Sequence, residues 1–213
     1  MKFMKRILLL CCLFLAGLAA HAQYTTPNTG VKWNLNNLVT ASVAKGSVTL
    51  TGGTYFMNDT ITIAANDTLQ ITTNETLQME NKVMLKVEGV LIVNPPDSVK
   101  ITAKLPTNKF HSIRFENANK GSLLRKTIVE HGNGIRVLSA KVRIDRCIVR
   151  YNDKQYQSSA INISGATPEI SNCKIYRNVA AAIGSPASGG EYQKLVAKFC
   201  NVSESRPAEP ILR

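Results

Sequence analysis

The phrase IDRCIV at residues 144–149 returns as ISNCKI at residues 170–175 and as AKFCNV at residues 197–202. The cysteines at its centre are 26 and 27 residues apart, and a cruder copy, LRKTIV, occupies residues 124–129. Self-similarity with a period of roughly 20 to 50 residues is typical of solenoid proteins. The repeat therefore predicts the architecture before any functional residue is considered.

Within each copy, the apolar residue three before the cysteine, the cysteine itself and the apolar residue two after it are expected to share one interior. These positions are Ile144, Cys147 and Val149 in one copy and Ile170, Cys173 and Ile175 in the next. The phrases end at residues that suit turns, namely Gly132, Asn152, Asn178 and Ser205. A second set of segments, at 113–115, 135–137 and 161–163, alternates apolar and polar residues as a half-buried strand does.

The stretch before these repeats predicts how many sides each coil has. Residues 58–60, 66–68 and 74–76 read NDT, NDT and NET, and each triplet precedes a short alternating segment. Three turns and three strands make up 24 residues, which matches the later period. A coil of this length is too long for a hairpin and lacks a helical period, so we expect three parallel sheets. The triplets also match glycosylation acceptors, but turns explain their spacing better.

The phrase at residues 168–175, PEISNCKI, together with Asn178 resembles the repeat of the right-handed parallel β-helix proteins of the pectate-lyase-like superfamily. The resemblance covers roughly residues 55–205. It implies an all-β right-handed parallel β-helix, whereas activity resides in sites that differ between proteins of one fold.

The expected organisation is one repeat domain with an N-terminal cap. We assign residues 1–22 to a signal peptide, 23–54 to the cap, 55–205 to the repeats and 206–213 to a tail without a visible cap. Within the cap, Asn34 suits the N-cap of a short helix with Leu35, Leu38 and Val39 on one side, and Trp33 with Leu38 could form a hydrophobic staple. We expect this helix to cover the apolar end of the first coil.

The N-terminus has the pattern of an export signal. Lys2, Lys5 and Arg6 precede an apolar run at residues 7–20, and Ala20-His21-Ala22 suits cleavage. The run is too short to span a bilayer comfortably, so no membrane span is expected. We therefore expect a secreted or cell-surface protein, with the periplasm left open, and the signal resembles those of secreted Bacteroidetes proteins.

The charge indicates the class of partner. Removing the three cations of the signal from the formal charge of +12 leaves +9, and a basic surface favours anions. Export makes an acidic polysaccharide or an envelope polymer the expected partner, and no nucleic-acid signature is present. The alternative is that the charge only aids solubility.

An odd number of cysteines remains after the signal, so they cannot all pair within one chain. Equivalent positions on adjacent coils lie about 4.8 Å apart with parallel side chains, which is slightly far for a relaxed disulfide. We expect reduced thiols stacked in the core. No metal-ligand spacing is found and no cofactor is expected, although calcium is left open.

Cations at equivalent offsets form the candidate ligand-binding residues. The predicted rows are Arg114, Arg136 and Asn162, and Lys126, Arg146 and Asn172, all expected to point outward. Neighbouring like charges destabilise a sheet, and a bound anion would relieve this cost. A groove for uronate or sulfated sugar is therefore predicted, against the alternative that the side chains extend into water.

Catalysis would need more than these rows. Eliminative cleavage of a uronate needs a base and a neutralised carboxylate, and glycoside hydrolysis needs two opposed carboxyl groups. The acids Glu130, Asp145, Asp153 and Glu169 occupy different offsets. The weak catalytic candidates are His131 and Tyr151, at corners of successive coils, with half-packed corner residues as the alternative.

Three functions follow. The first is an exported, non-catalytic β-helix that presents a basic surface to an acidic glycan or envelope partner. The second is a polysaccharide lyase or glycoside hydrolase of the pectate-lyase-like type, and the third is a structural stalk or adhesin segment. Because no cap is visible before Arg213, we expect either a fragment of a longer chain or end-to-end association.

Overall fold

A computed structural model describes residues 23–185, 196–198 and 200–202. The predicted signal peptide, residues 186–195, the turn residue Ser205 and the predicted tail lie outside the described residues.

The described chain is a parallel β-solenoid with three sheets, which confirms the predicted all-β coil and its three sides. One sheet consists of β1 (Tyr24–Thr25), β5 (Ile61–Ile63), β8 (Met84–Val87), β11 (Ser112–Glu116), β14 (Ile135–Leu138), β17 (Ser159–Ser164) and β20 (Ala181–Gly184). The second consists of β2 (Lys32–Trp33), β6 (Thr68–Ile71), β9 (Val90–Val93), β12 (Ser122–Arg125), β15 (Val142–Asp145), β18 (Glu169–Ser171) and β21 (Val196–Lys198). The third consists of β3 (Val48–Thr51), β4 (Thr54–Met57), β7 (Thr76–Met79), β10 (Val99–Ala103), β13 (Thr127–Glu130), β16 (Ile148–Arg150), β19 (Lys174–Tyr176) and β22 (Asn201–Val202).

The register follows the sequence repeats. Ile144 pairs with Ile170 in one sheet, and Val149 pairs with Ile175 in another. These positions are fully buried, as are Ile113, Ile135 and Ile161 at equivalent positions of β11, β14 and β17. Because side chains of a strand alternate between faces, every second residue enters the core and the residues between them point outward.

The cysteine ladder forms as predicted within the described residues. Cys147 and Cys173 are free thiols and are each 1% exposed, and Cys200 is half-buried. The Cys147 thiol donates to the carbonyl oxygen of Leu124 at 3.3 Å. Burial raises the pKa of Cys147 well above its usual range. These groups therefore act as small apolar side chains.

A short helix, α1 (Leu35–Ala41), stands at the N-terminal end and confirms the predicted cap helix. Asn34 is its N-cap: the side chain of Asn34 accepts from the backbone of Asn37 at 2.8 Å, and the side chain of Asn37 accepts from the backbone of Asn34 at 3.1 Å. Leu35 and Leu38 are buried against the first coils. A 3₁₀ turn and the antiparallel pair β3 and β4 follow.

At two corners of the solenoid, residues other than glycine adopt the left-handed backbone conformation, which sets the direction of their side chains. Between the second and third sheets, Lys126, Arg146 and Asn172 have φ of 50°, 54° and 54°. Between the third and first sheets, His131, Tyr151 and Arg177 have φ of 59°, 55° and 52°. Residues other than glycine rarely adopt this conformation, so each corner is held by its neighbours. One such support is Asn152, whose side chain accepts from Gly132 and donates to Val129 and Arg150.

Candidate functional site

The first predicted row forms on the outward face of the first sheet. Arg114 pairs in register with Arg136, and Arg136 pairs with Asn162. Lys86, which the sequence analysis did not include, pairs with Arg114 on the preceding coil. We call Lys86, Arg114 and Arg136 the basic column.

Acidic side chains neutralise part of this column. Lys86 lies 2.6 Å from Glu88 and 3.3 Å from Glu116, and Glu116 also lies 3.0 Å from Arg114. The acids follow the cations by two residues, so they share the outward face of the strand. The hydrogen bond that Lys86 donates to the carboxylate of Glu88 is the main cause that raises the pKa of Lys86.

Arg136 differs from the other two cations. Leu138 occupies the position that Glu116 holds on the preceding coil, because Glu116 and Leu138 are paired in register. Among the residues that the structure describes, no acidic side chain lies within ion-pairing distance of Arg136. The uncompensated positive charge of the column is therefore at Arg136.

Asn162 faces the same side but is not open to a ligand as predicted. It is 5% exposed, and its amide donates to the hydroxyls of Ser158 and Ser159 at 3.4 Å. The end of the loop that precedes β17 covers it. The row therefore offers two arginines, with Asn162 as a structural neighbour.

Two members of the second predicted row of Lys126, Arg146 and Asn172 lie beside a buried carboxylate, namely Arg146 and Asn172. Asp145 is 5% exposed and accepts from Asn172 at 2.8 Å, and Arg146 lies 3.9 Å from it. Burial alone would raise the pKa of Asp145, but hydrogen bonds from Asn172 and Ser171 and the nearby arginines hold it below its usual range. Lys126 donates to the carbonyl of Pro96. The polar groups of this corner therefore bond mainly to other protein groups and stabilise the corner itself.

An aromatic pair beside the basic column was missed by the sequence analysis. The rings of His111 and Tyr156 are stacked, with centroids 4.3 Å apart and an angle of 13° between planes. Tyr156 belongs to the loop at residues 153–158, between β16 and β17. The available signal was spacing, because 26 residues separate the segments that begin at 135 and 161, against 22 for those that begin at 113 and 135. Burial lowers the pKa of His111, and the charges of Arg114 and Arg136 lower it further.

Arg114 and Arg136 each have one N–H donor that makes no hydrogen bond within the described part of the chain. The Nε atoms of Arg114 and Arg136 are buried and have no hydrogen-bond partner among the described residues. A buried donor without a partner costs about 1 to 3 kcal/mol. Arginine binds carboxylates through two parallel hydrogen bonds. A change of rotamer that turned two guanidinium nitrogens, including Nε, toward a carboxylate would therefore remove this cost.

The two weak catalytic candidates lie together at the other corner. The rings of His131 and Tyr151 are stacked at 5.4 Å, and Arg177 donates to the Tyr151 hydroxyl at 2.8 Å. Arg150 lies over the Tyr151 ring at 5.3 Å. Burial is the main cause that lowers the pKa of His131, and its Nδ1 is buried without a partner among the described residues.

The predicted acids remain apart in the described chain. Glu130 is 3% exposed and lies 2.7 Å from both Lys100 and Arg150. Glu169 is exposed and lies 3.8 Å from Arg143. No group of three or more potential metal ligands forms within the described residues. Three of the predicted acids, Glu130, Asp145 and Glu169, therefore act as partners of cations, and Asp153 accepts from the backbone N–H of Lys154 at 2.7 Å.

The comparisons of this chain with protein-family models, with curated proteins and with solved structures each found no match. Within the described residues, none of the helices has the length and apolar character that crossing a bilayer requires.

Proposed function

We propose that this β-solenoid is an exported, non-catalytic protein that binds an acidic polysaccharide or envelope polymer through the basic column. The observation that carries the proposal is the unneutralised Arg136 beside Arg114, with an unused donor on each. The pattern of residues 1–22 supports export, and the repeat phrase supports a likeness to the pectate-lyase-like β-helices.

The spacing suits carboxylates carried on a chain. Adjacent coils stand about 4.8 Å apart, so the two guanidinium groups reach one carboxylate from both sides or two neighbouring anionic groups. Hydrogen bonds between ionised partners contribute about 1.5 to 3 kcal/mol each. Because the arginines are partly open to water, added salt should weaken the interaction.

The test is equilibrium binding of the protein to polygalacturonate. Arg136→Gln removes the free cation, and Leu138→Glu supplies the missing acid without touching Arg136. We expect each to weaken binding about tenfold, which corresponds to about 1.4 kcal/mol. Arg143→Gln is the matched control, since Arg143 is an exposed cation on another sheet.

The expected control effect is less than twofold. Equal losses in Arg136→Gln and Arg143→Gln would show that only total charge matters. Failure to bind polygalacturonate, heparin or another polyanion at low salt would overturn the proposal and favour a structural stalk or adhesin segment.

Eliminative cleavage is a second candidate, favoured by the corner of His131, Tyr151 and Arg177. A ring base beside a cation that could neutralise a uronate is the chemistry such a reaction needs. Incubation with polygalacturonate would then generate ultraviolet-absorbing unsaturated products, and His131→Gln together with Tyr151→Phe would abolish them. Binding without such products at any pH between 5 and 10 would exclude this candidate for that polymer.

A further inference from the structure

The loop at residues 153–158 reaches back over the first sheet. Tyr156 follows β16, whereas His111 directly precedes β11, two coils earlier, so their stack joins residues that are 45 positions apart. Both side chains are half-buried and therefore still partly reachable from solvent. The pair borders the strands that carry Arg114 and Arg136.

Hydrogen bonds to the sheet fix this loop. Gln157 is 8% exposed, and its side-chain amide donates to the carbonyl oxygens of Asn133, Ile135 and Ser159. The backbone N–H of Tyr156 donates to the side-chain oxygen of Asn133 at 3.4 Å. A loop tied at several points holds Tyr156 in place without a ligand, so binding would lose little conformational freedom.

The chemistry around the pair combines three kinds of group. The two guanidinium groups carry unused donors, His111 is a titratable ring with its Nδ1 2.9 Å from the Ser112 hydroxyl, and Tyr156 adds a flat surface. Planar rings pack against the apolar faces of other rings, and guanidinium groups select carboxylates. Together these groups match a ring that bears an anionic substituent.

We propose that His111 and Tyr156 form, with Arg114 and Arg136, a subsite for one glycan unit that bears a carboxylate. The arginines bind the carboxylate, and the aromatic pair borders the ring of that unit. This inference rests on the proposed function and sharpens it, because it places recognition at a single unit of the polymer.

The subsite makes binding depend on pH. Arg114 and Arg136 are the charged groups that act on His111, and both disfavour its protonated form. A bound carboxylate has the opposite effect, so the complex takes up a proton on His111 more readily than the free protein does. Sugar carboxylates stay ionised above about pH 5, so affinity for trigalacturonate should rise as the pH falls from about 7.5 towards about 5.

Calorimetry with trigalacturonate, neutral galactotriose and inorganic sulfate tests the subsite. Tyr156→Ala should weaken trigalacturonate binding about tenfold and change sulfate binding less than twofold. Phe56→Ala is the matched control, because Phe56 is a half-buried outward aromatic on the third sheet. His111→Phe keeps a ring against Tyr156 and should remove the rise in affinity at low pH.

The outcomes separate the two proposals. If Tyr156→Ala and Phe56→Ala have equal effects, or if the rise at low pH persists in His111→Phe, the subsite is wrong. The basic column still stands in that case provided Arg136→Gln weakens binding. If Arg136→Gln has no effect, the proposed function fails as well. Circular dichroism and thermal unfolding of each variant show whether a loss of binding reflects a loss of fold.

Discussion

Replacing Asp67 by asparagine should loosen the N-terminal segment from the solenoid. Asp67 is fully buried, and its carboxylate accepts the backbone N–H groups of Asn28 at 2.9 Å, Gly30 at 2.8 Å and Val31 at 3.1 Å. Strands β1 and β2 flank these residues and pair with β5 and β6 over only two residues each. One carboxylate therefore supplies three of the hydrogen bonds that hold this segment on the solenoid.

The magnitude follows from the three bonds. A hydrogen bond to a charged acceptor contributes about 1.5 to 3 kcal/mol, and a neutral one about 0.5 to 1.5 kcal/mol. Asp67→Asn should therefore lower the free energy of unfolding by about 4 kcal/mol at pH 7. The amide keeps one acceptor oxygen, so bonds to that oxygen lose roughly 1 kcal/mol each, and an N–H that faces the amide NH2 group loses its acceptor. The free energy that docks the segment limits this loss, because the segment can open locally.

The effect should depend on pH in one direction. Burial alone would raise the pKa of Asp67, but hydrogen bonds from Thr26, Asn28, Val31 and Gly30 hold it below its usual range. A lowered folded pKa stabilises the protein above the unfolded pKa of about 3.9, and this stabilisation is lost as the pH falls through the folded pKa. The difference between the wild type and Asp67→Asn should therefore be constant above about pH 5 and shrink below about pH 4.

Urea unfolding followed by circular dichroism measures the total change, and amide hydrogen exchange at Asn28, Gly30 and Val31 measures local opening. Glu169→Gln is the matched control, because Glu169 is exposed and lies 3.8 Å from Arg143. Exposed ion pairs contribute about 0 to 1 kcal/mol. A loss below about 1 kcal/mol in Asp67→Asn, with unchanged exchange at the three amides, would refute the reasoning.

Three further predictions concern the core and the corners. Gly89→Ala should destabilise by about 3 kcal/mol in urea unfolding, because an added Cβ would stand 2.2 Å from the carbonyl oxygen of Ala64. Asn152→Ala should cost about 3 kcal/mol in the same assay, since buried groups at its corner lose their partners, and a loss below about 1 kcal/mol would contradict this. Cys200 should react with a thiol reagent in the native protein well before Cys147, because Cys200 is half-buried and Cys147 is fully buried. Equal rates of modification, measured by mass spectrometry, would contradict the burial of Cys147 in the core.

The sequence predicts the stacking of the coils because two separate periodic patterns indicate it. The 26- and 27-residue intervals place Cys147 on the same inward position as Cys173, and the alternation around Ile135 and Ile161 sets a second side. Buried positions at equal offsets can stack only if neighbouring coils are in register, since a slip by one residue would expose them. These predictions needed only local patterns and one period.

The site was harder to predict because it depends on contacts between distant residues. The stack of Tyr156 on His111 requires the course of residues 153–158, which the amide of Gln157 fixes through carbonyls up to 24 residues away. The burial of Asn162 was not predicted for the same reason, since its amide bonds to Ser158, which belongs to that loop. No periodicity constrains an insertion, so its conformation cannot be read from the repeats.

One feature of the site was nevertheless visible in the sequence. Alternation in a strand puts positions two apart on the same face, so Glu88 falls beside Lys86 and Glu116 beside Arg114. The next coil carries Leu138 at that offset from Arg136. The column is therefore not a uniform line of charge: two cations are compensated within their own strands, and the excess charge is localised on the third. Any anion that recognises this face should bind at that coil, where the loop bearing Tyr156 also returns to the sheet.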